Sequence, residues 1–299
     1  MRRLIAVIMI GLWAALVSVP ATASETFRVA IVDRFYPPVN GFVTEEDRDQ
    51  HTWLYGMLDL DNDEYKEPYY HGDIVRLIAS DPRFIFVQYP LSGQGHPMAD
   101  ILRNLRVMQA RQATMPVDAL ILSWESSTLV SAFDVPLSLG RVRHYKDIVR
   151  QWGDKYPEWR YTHEIILALE ALVAEGVMVF TISGNGGRGM VNTFSFAEGV
   201  RTVGSIEREL QHFIADNPFV DMRTRAAYQL TRVDNPAGKP LGYDIDGDGC
   251  VDIPLSKLTA RTGGNTDYPR HYWKTLKGSS FAAPAAMKGL LLEGQANSC

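Results

Sequence analysis

Four short segments carry side chains that together could perform acyl transfer. Val29-Ala30-Ile31-Val32-Asp33 puts a carboxylate at the end of an apolar run, and His71-Gly72-Asp73 supplies an imidazole. Ser183-Gly184-Asn185-Gly186 supplies a side-chain amide, and Gly278-Ser279-Ser280-Phe281-Ala282-Ala283-Pro284 supplies a serine at the head of an apolar stretch. A serine hydroxyl is a weak nucleophile until a base takes its proton. An imidazole serves as that base when an acid holds its tautomer, and an amide N–H stabilises the oxyanion formed on the attacked carbonyl. Asp33, His71 and Ser280 are therefore the candidate acid, base and nucleophile, and Asn185 the candidate oxyanion donor. Their order along the chain is acid, base, serine.

Groups so far apart in sequence need a rigid frame to meet. Residues 27–32 form a short apolar run, and the spacing of Ile74, Val75, Leu77 and Ile78 predicts a helix that starts near His71. Residues 84–87 and 119–122 read as strands, and 97–111 as a helix with Ile101, Leu102, Leu105 and Met108 on one face. Residues 162–175 are helical in spacing with Gly176 as the stop, and 177–182 is again a continuous apolar run. Such alternation predicts an α/β fold, a mostly parallel central sheet covered by helices on both faces. Ser280 falls at the start of a last helix with Pro284 expected in its first turn, where backbone N–H groups and the helix dipole favour a developing negative charge.

The acid, base, serine order is that of subtilisin, and the chain resembles the subtilisin-like serine peptidases. The match rests most on the block from Gly278 to Pro284, which is similar to the family's Gly-Thr-Ser-Met/Phe-Ala-x-Pro, with Ser280 at the nucleophile position. Ser183-Gly184-Asn185 resembles the family's Ala-Gly-Asn, and Ala119-Leu120-Ile121-Leu122-Ser123 stands where the family has its substrate-binding strand. Residues 199–205 resemble the strand after the oxyanion segment, and Val251-Asp252-Ile253-Pro254 falls where the family reads Val-Asp-Val-x-Ala-Pro-Gly. The resemblance implies a three-layer sandwich over residues 24–299 and a serine endopeptidase acting on polypeptides through an acyl-enzyme, with no cofactor required for the chemistry. It also assigns Ser123, Trp124, Glu125 and Gly184 to the substrate-binding wall, where Trp124 and Glu125 replace small residues and would narrow or charge it. Departures exist too: Arg34-Phe35 follow the acid in place of Ser/Thr-Gly, and Asp73 replaces Thr or Ser after His71-Gly72. These keep open a second reading, a catalytically silent fold of the same type that binds a peptide or protein.

Residues 1–23 read as a secretory signal, with Arg2 and Arg3, an apolar run and Ala21-Thr22-Ala23 as the cleavage site. This predicts an exported protein, periplasmic or extracellular, with no stable membrane anchor after cleavage. Few residues then separate Ala23 from the first strand, where the family commonly carries a folding pro-region, so a chaperone or inhibitor supplied in trans is a further expectation. The formal charge of −5 becomes −7 without the two signal arginines, which argues against a nucleic-acid partner. Cys250 and Cys299 are the only cysteines, and export would let them either pair or remain thiols. Gly184-x-Gly186-x-x-Gly189 also fits a dinucleotide fingerprint, but residues 190–196 lack the helix-forming character that motif requires. Asp244, Asp246, Asp248 and Asp252, with Gly247 between them, have the spacing of a calcium loop without the closing Glu. A structural calcium ion and a solvated acidic turn both fit that segment. Residues 59–64 are a poorer copy and read as a charged loop.

Overall fold

Runs that are apolar at both parities decide the architecture. The computed structural model describes residues 26–36, 69–92, 95–257 and 275–293. The first eight of its described strands are β1 (Phe27–Asp33), β2 (Phe84–Pro90), β3 (Ala119–Leu122), β4 (Ser127–Leu129), β5 (Met178–Ile182), β6 (Met190–Asn192), β7 (Arg201–Ser205) and β8 (Met222–Thr224). Six of them form one sheet in the order β2-β1-β3-β5-β7-β8, every neighbouring pair parallel. Val29 and Ile31 of β1, Ala119 and Ile121 of β3, and Phe180 and Ile182 of β5 enter one core. Their immediate neighbours Ala30, Val32, Leu120, Leu122 and Val179 enter the other. A strand buried on both sides must be apolar at both parities, so these runs are continuous rather than alternating.

Helices close the two faces. On one side lie α1 (His71–Ile78) and the last helix; on the other lie α2 (Pro97–Arg111), α3 (Val142–Gly153) and α4 (Pro157–Ala174). The last helix, α5 (Ser279–Leu291), packs Ala282, Ala283, Ala286 and Met287 against β5, β7 and β8. The α/β reading with helices on both faces is the observed fold. Two helices depart from expectation: α4 starts at Pro157, five residues earlier than the apolar spacing implied, with Pro at its first position. Pro284 lies inside α5 rather than in its first turn. Gly176, with φ +91°, ends α4 as expected.

The sheet order reverses direction between β1 and β3, since β2 follows β1 outward one way and β5 follows β3 the other. At such a switch point the loops leaving the carboxyl ends diverge and open a crevice. Asp33 ends β1, and Ser123-Trp124-Glu125 directly follow β3. Residues 1–23, 59–64 and Cys299 lie outside the described residues. Among the described residues no helix is long and apolar enough to cross a membrane.

Candidate active site

Gly72 explains how an imidazole reaches the end of β1. A Cβ at that position would lie 2.6 Å from the Arg34 carbonyl oxygen and 2.8 Å from the Asp33 Cβ, so only glycine lets the head of α1 come this close. Its N–H donates to the Arg34 carbonyl at 2.9 Å, which stitches helix to strand end. Asp73 adds two more stitches, its Oδ2 accepting from the backbone N–H of Tyr70 at 2.9 Å and of Tyr36 at 2.8 Å. The residue that replaces Thr or Ser after His71-Gly72 thus brackets the turn after β1 to the start of α1. Burial pushes the Asp73 carboxyl above the usual range, against those two bonds.

With helix and strand joined, His71 Nδ1 lies 2.8 Å from Asp33 Oδ2. Asp33 is fully buried, and its other oxygen accepts from the Arg34 backbone N–H at 2.7 Å. Among the described ion pairs the side-chain partner of Asp33 is the imidazole, not the Arg34 guanidinium. Burial alone would lower the His71 pKa, but the charge of Asp33 and its hydrogen bond together hold it above the ordinary 6.5. The Phe281 ring stands 5.4 Å away, centroid to centroid, and walls the imidazole on one side. Nδ1 being taken by Asp33, Nε2 is the nitrogen left for chemistry.

Ser280 sits in the first turn of α5, and Asn185 reaches it from the loop after β5. The Asn185 Oδ1 accepts from the Ser279 backbone N–H at 2.9 Å and from the Ser279 hydroxyl at 3.0 Å. A helix start carries backbone donors with no partner of their own, and here a side chain from another element caps one of them. The two bonds orient the amide: its oxygen faces α5, and its N–H₂ is left for the cleft. Asp33, His71, Asn185 and Ser280 all line one cleft of about 640 Å³, together with Ser123, Trp124 and Glu125.

Ser123 does something the sequence did not suggest. Pro284 has no N–H, so the Ser280 carbonyl four residues earlier lacks its intrahelical donor. The Ser123 hydroxyl supplies it, donating to that carbonyl at 2.9 Å. Gly184 lies against Glu125, with φ +103° and room for no side chain, since a Cβ would lie 2.5 Å from Glu125 Oε2. Buried Asn192, which no motif marked, donates to the carbonyls of Ile182 at 2.7 Å and Trp124 at 3.3 Å and accepts from Ser126 N–H at 3.0 Å. It clamps the ends of β3 and β5 together. The remaining walls come from His96, Pro97, Met98, Ile182, Phe213, Thr275, Leu276, Lys277 and Phe281. Apart from Phe281, none of these stands in a motif, and only the fold brings them together. Met190–Asn192 is a strand where a dinucleotide motif would need a helix.

The acidic segment gathers only in part. Asp244, Asp246 and Asp252 converge within 4.8 Å of one another, whereas Asp248 turns to the Cys250 N–H at 2.8 Å. Lys288 of α5 donates to Asp246 Oδ2 at 2.6 Å. One ammonium among three carboxylates leaves the group short of positive charge, and Asp252 is pushed up to about 6, by burial first and then by the neighbouring carboxylates. A hard divalent cation fits this oxygen-only donor set. Cys250 is disulfide-bonded.

No protein-family model matches the sequence, and no curated protein does. Among solved structures the chain is similar in fold to subtilisin-like serine proteases. A prenylagaramide maturation protease shares 14% identity over 91% of this chain and 79% of its own, with a TM-score of 0.44. A cold adapted subtilisin-like serine proteinase shares 12% over 90% and 76%, with a TM-score of 0.42. The nisin leader peptidase NisP from Lactococcus lactis shares 11% over 89% and 77%, with a TM-score of 0.46. At such values activity has to be argued from the site's own atoms.

Proposed function

We propose that the chain is an exported serine endopeptidase in which Ser280 is the nucleophile, His71 the general base and acid, Asp33 the group that orients and charges the imidazole, and Asn185 the oxyanion donor. The observation that carries this is the 2.8 Å Asp33–His71 contact opening onto the same cleft as Ser280 and an amide whose N–H₂ side is turned away from its anchor. His71 Nε2 takes the Ser280 hydroxyl proton as Oγ bonds to the substrate carbonyl carbon, and the carbonyl electron pair moves onto oxygen. Asn185 donates to that oxygen, where its contact strengthens as charge develops. The same proton then passes from His71 to the departing amine as the C–N bond breaks, leaving an acyl-enzyme. Water repeats the sequence and frees the acid. The chemistry uses no cofactor; a calcium ion at Asp244, Asp246 and Asp252 would be structural.

The test is labelling by an alkyl fluorophosphonate together with hydrolysis of a fluorescently labelled protein. Wild type should take one phosphonate at Ser280 and cleave, while Ser280→Ala should do neither and melt normally. Folded wild type that takes no phosphonate and cleaves nothing would instead favour a silent peptide-binding protein.

A further inference from the structure

Among the described residues Glu125 is a carboxylate without a counter-ion at the wall of the cleft. Its Oε2 accepts from the Asn185 backbone N–H at 2.8 Å and from the Ser127 hydroxyl at 2.6 Å, both neutral donors. None of the described ion pairs includes it, and the two other basic side chains of the cleft, His96 and Lys277, are not joined to it. Both hydrogen bonds fall on one oxygen, so the other keeps its acceptor capacity. The same cleft is lined by Trp124, Ile182, Met98, Phe213 and Leu276, which offer apolar surface.

The fold is also built to admit this carboxylate. Gly184, the residue before Asn185, sits with its Cα hydrogens against Glu125, and a Cβ there would approach Oε2 to 2.5 Å and the Ser127 hydroxyl to 2.7 Å. Ser127, Gly184 and Asn185 N–H thus form a three-sided seat from two different chain segments. Its position relative to the chemistry is set by Asn185, whose backbone N–H holds Glu125 while its side chain is anchored to Ser279, next to Ser280. A half-buried anion held by neutral donors gains from an incoming cation, because desolvation strengthens the pair.

We infer that Glu125 selects a basic side chain, Lys or Arg, at the substrate residue immediately before the scissile bond. This rests on the peptidase reading above. The alkyl stem of such a residue would lie along Trp124 and Ile182 with its charged head on the carboxylate. An alternative role, in which Glu125 merely positions Asn185 through the N–H, predicts equal losses for every substrate.

Glu125→Gln separates the two, since the amide oxygen still accepts from Asn185 and Ser127 while the charge is gone. Benzamidine, a cation at neutral pH without a scissile bond, is titrated by calorimetry into Ser280→Ala with and without Glu125→Gln. Binding should weaken about tenfold to a hundredfold on loss of the charge-assisted contact. In a peptide library cleaved by wild type, Arg and Lys should dominate before the cut. In Glu125→Gln, kcat/KM should fall about tenfold to a hundredfold more for Arg and Lys than for Leu or Phe. Equal benzamidine affinity in both backgrounds, or an unchanged library profile, overturns the assignment even if the alkyl phosphonate labels Ser280. If the phosphonate fails, the peptidase reading falls by itself, and the benzamidine titration still decides whether Glu125 holds a cation.

Discussion

Removing the Ser123 hydroxyl should loosen the nucleophile's own helix, and by an amount the structure bounds. Ser280 is buried, the intrahelical donor to its carbonyl is missing because residue 284 is proline, and the described donor is Ser123 Oγ at 2.9 Å. Ser123→Ala therefore leaves a buried carbonyl unsatisfied, which costs about 1–3 kcal/mol. In a domain of this size that lowers Tm by about 2–4 °C per kcal/mol. Pro284→Ala supplies an N–H at the fourth position from that carbonyl and removes the ring that turns it off the helix axis. A carbonyl has two lone pairs, so this new N–H and the Ser123 hydroxyl can both donate to it. The double variant should then lose less than Ser123→Ala does alone, with a coupling of about 0.5–3 kcal/mol between the sites. Thermal melts of the four proteins close the cycle. If Ser123→Ala costs the same with and without Pro284→Ala, the two residues do not share the carbonyl and the reasoning fails. Where turnover is measured, Ser123→Ala should depress kcat more than KM, because what it moves is the attacking residue rather than a substrate contact.

Catalysis needs neutral His71, whose pKa is held above 6.5 by Asp33 against the effect of burial, so kcat/KM should fall as pH drops through a limb above 6.5. Asp33→Asn removes the charge that raises it, and the limb should move to lower pH as the rate drops; a limb that stays put refutes the assignment. By linkage, the protonated pair stabilises the fold fully below pH 6.5, and that contribution is lost as pH rises through the raised value, which melts across this range read directly. Gly72→Ala places a Cβ 2.6 Å from the Arg34 carbonyl oxygen, and the strain should cost about 1–3 kcal/mol in melting while separating His71 from Asp33. The downfield proton resonance of the His71–Asp33 bond should weaken or vanish, and an unchanged resonance would show that the close approach is dispensable. Calcium should raise Tm by mass action and a chelator lower it, with Asp252→Asn blind to both and Lys288→Gln more responsive because Asp246 is freed. Equal melts with excess calcium and with chelator reject a stabilising ion.

What the sequence disclosed and what it hid divide along a physical line. The strands β1, β2, β3 and β5, the helices α1, α2, α4 and α5, and the four candidate residues stand out because each leaves a local trace, an apolar run, a 3.6-residue period, or a block of small residues around a serine, whereas α3 and the short strands β4, β6 and β8 do not. The supports leave none, because each is a contact between segments far apart in sequence. Ser123 and Ser280 are 157 positions apart, Asn185 and Ser279 are 94 apart, and Glu125 and Asn185 are 60 apart. Pro284 carried a local hint, since a proline in a helix always leaves one carbonyl wanting, but only the fold says which hydroxyl answers it. Misplacing it in the first turn removed the hint, as a first-turn proline deprives no carbonyl.

The two departures after Asp33 and His71 change meaning once their partners are visible. Taken as letters, Arg34-Phe35 and Asp73 suggested a decayed site. In three dimensions the Arg34 N–H binds Asp33 at 2.7 Å, the Arg34 carbonyl receives Gly72 N–H at 2.9 Å, and Asp73 receives Tyr36 and Tyr70. The Asp73 side chain and the Arg34 backbone thus fasten β1 to α1, and what that fastening holds in place is the 2.8 Å contact between Asp33 and His71.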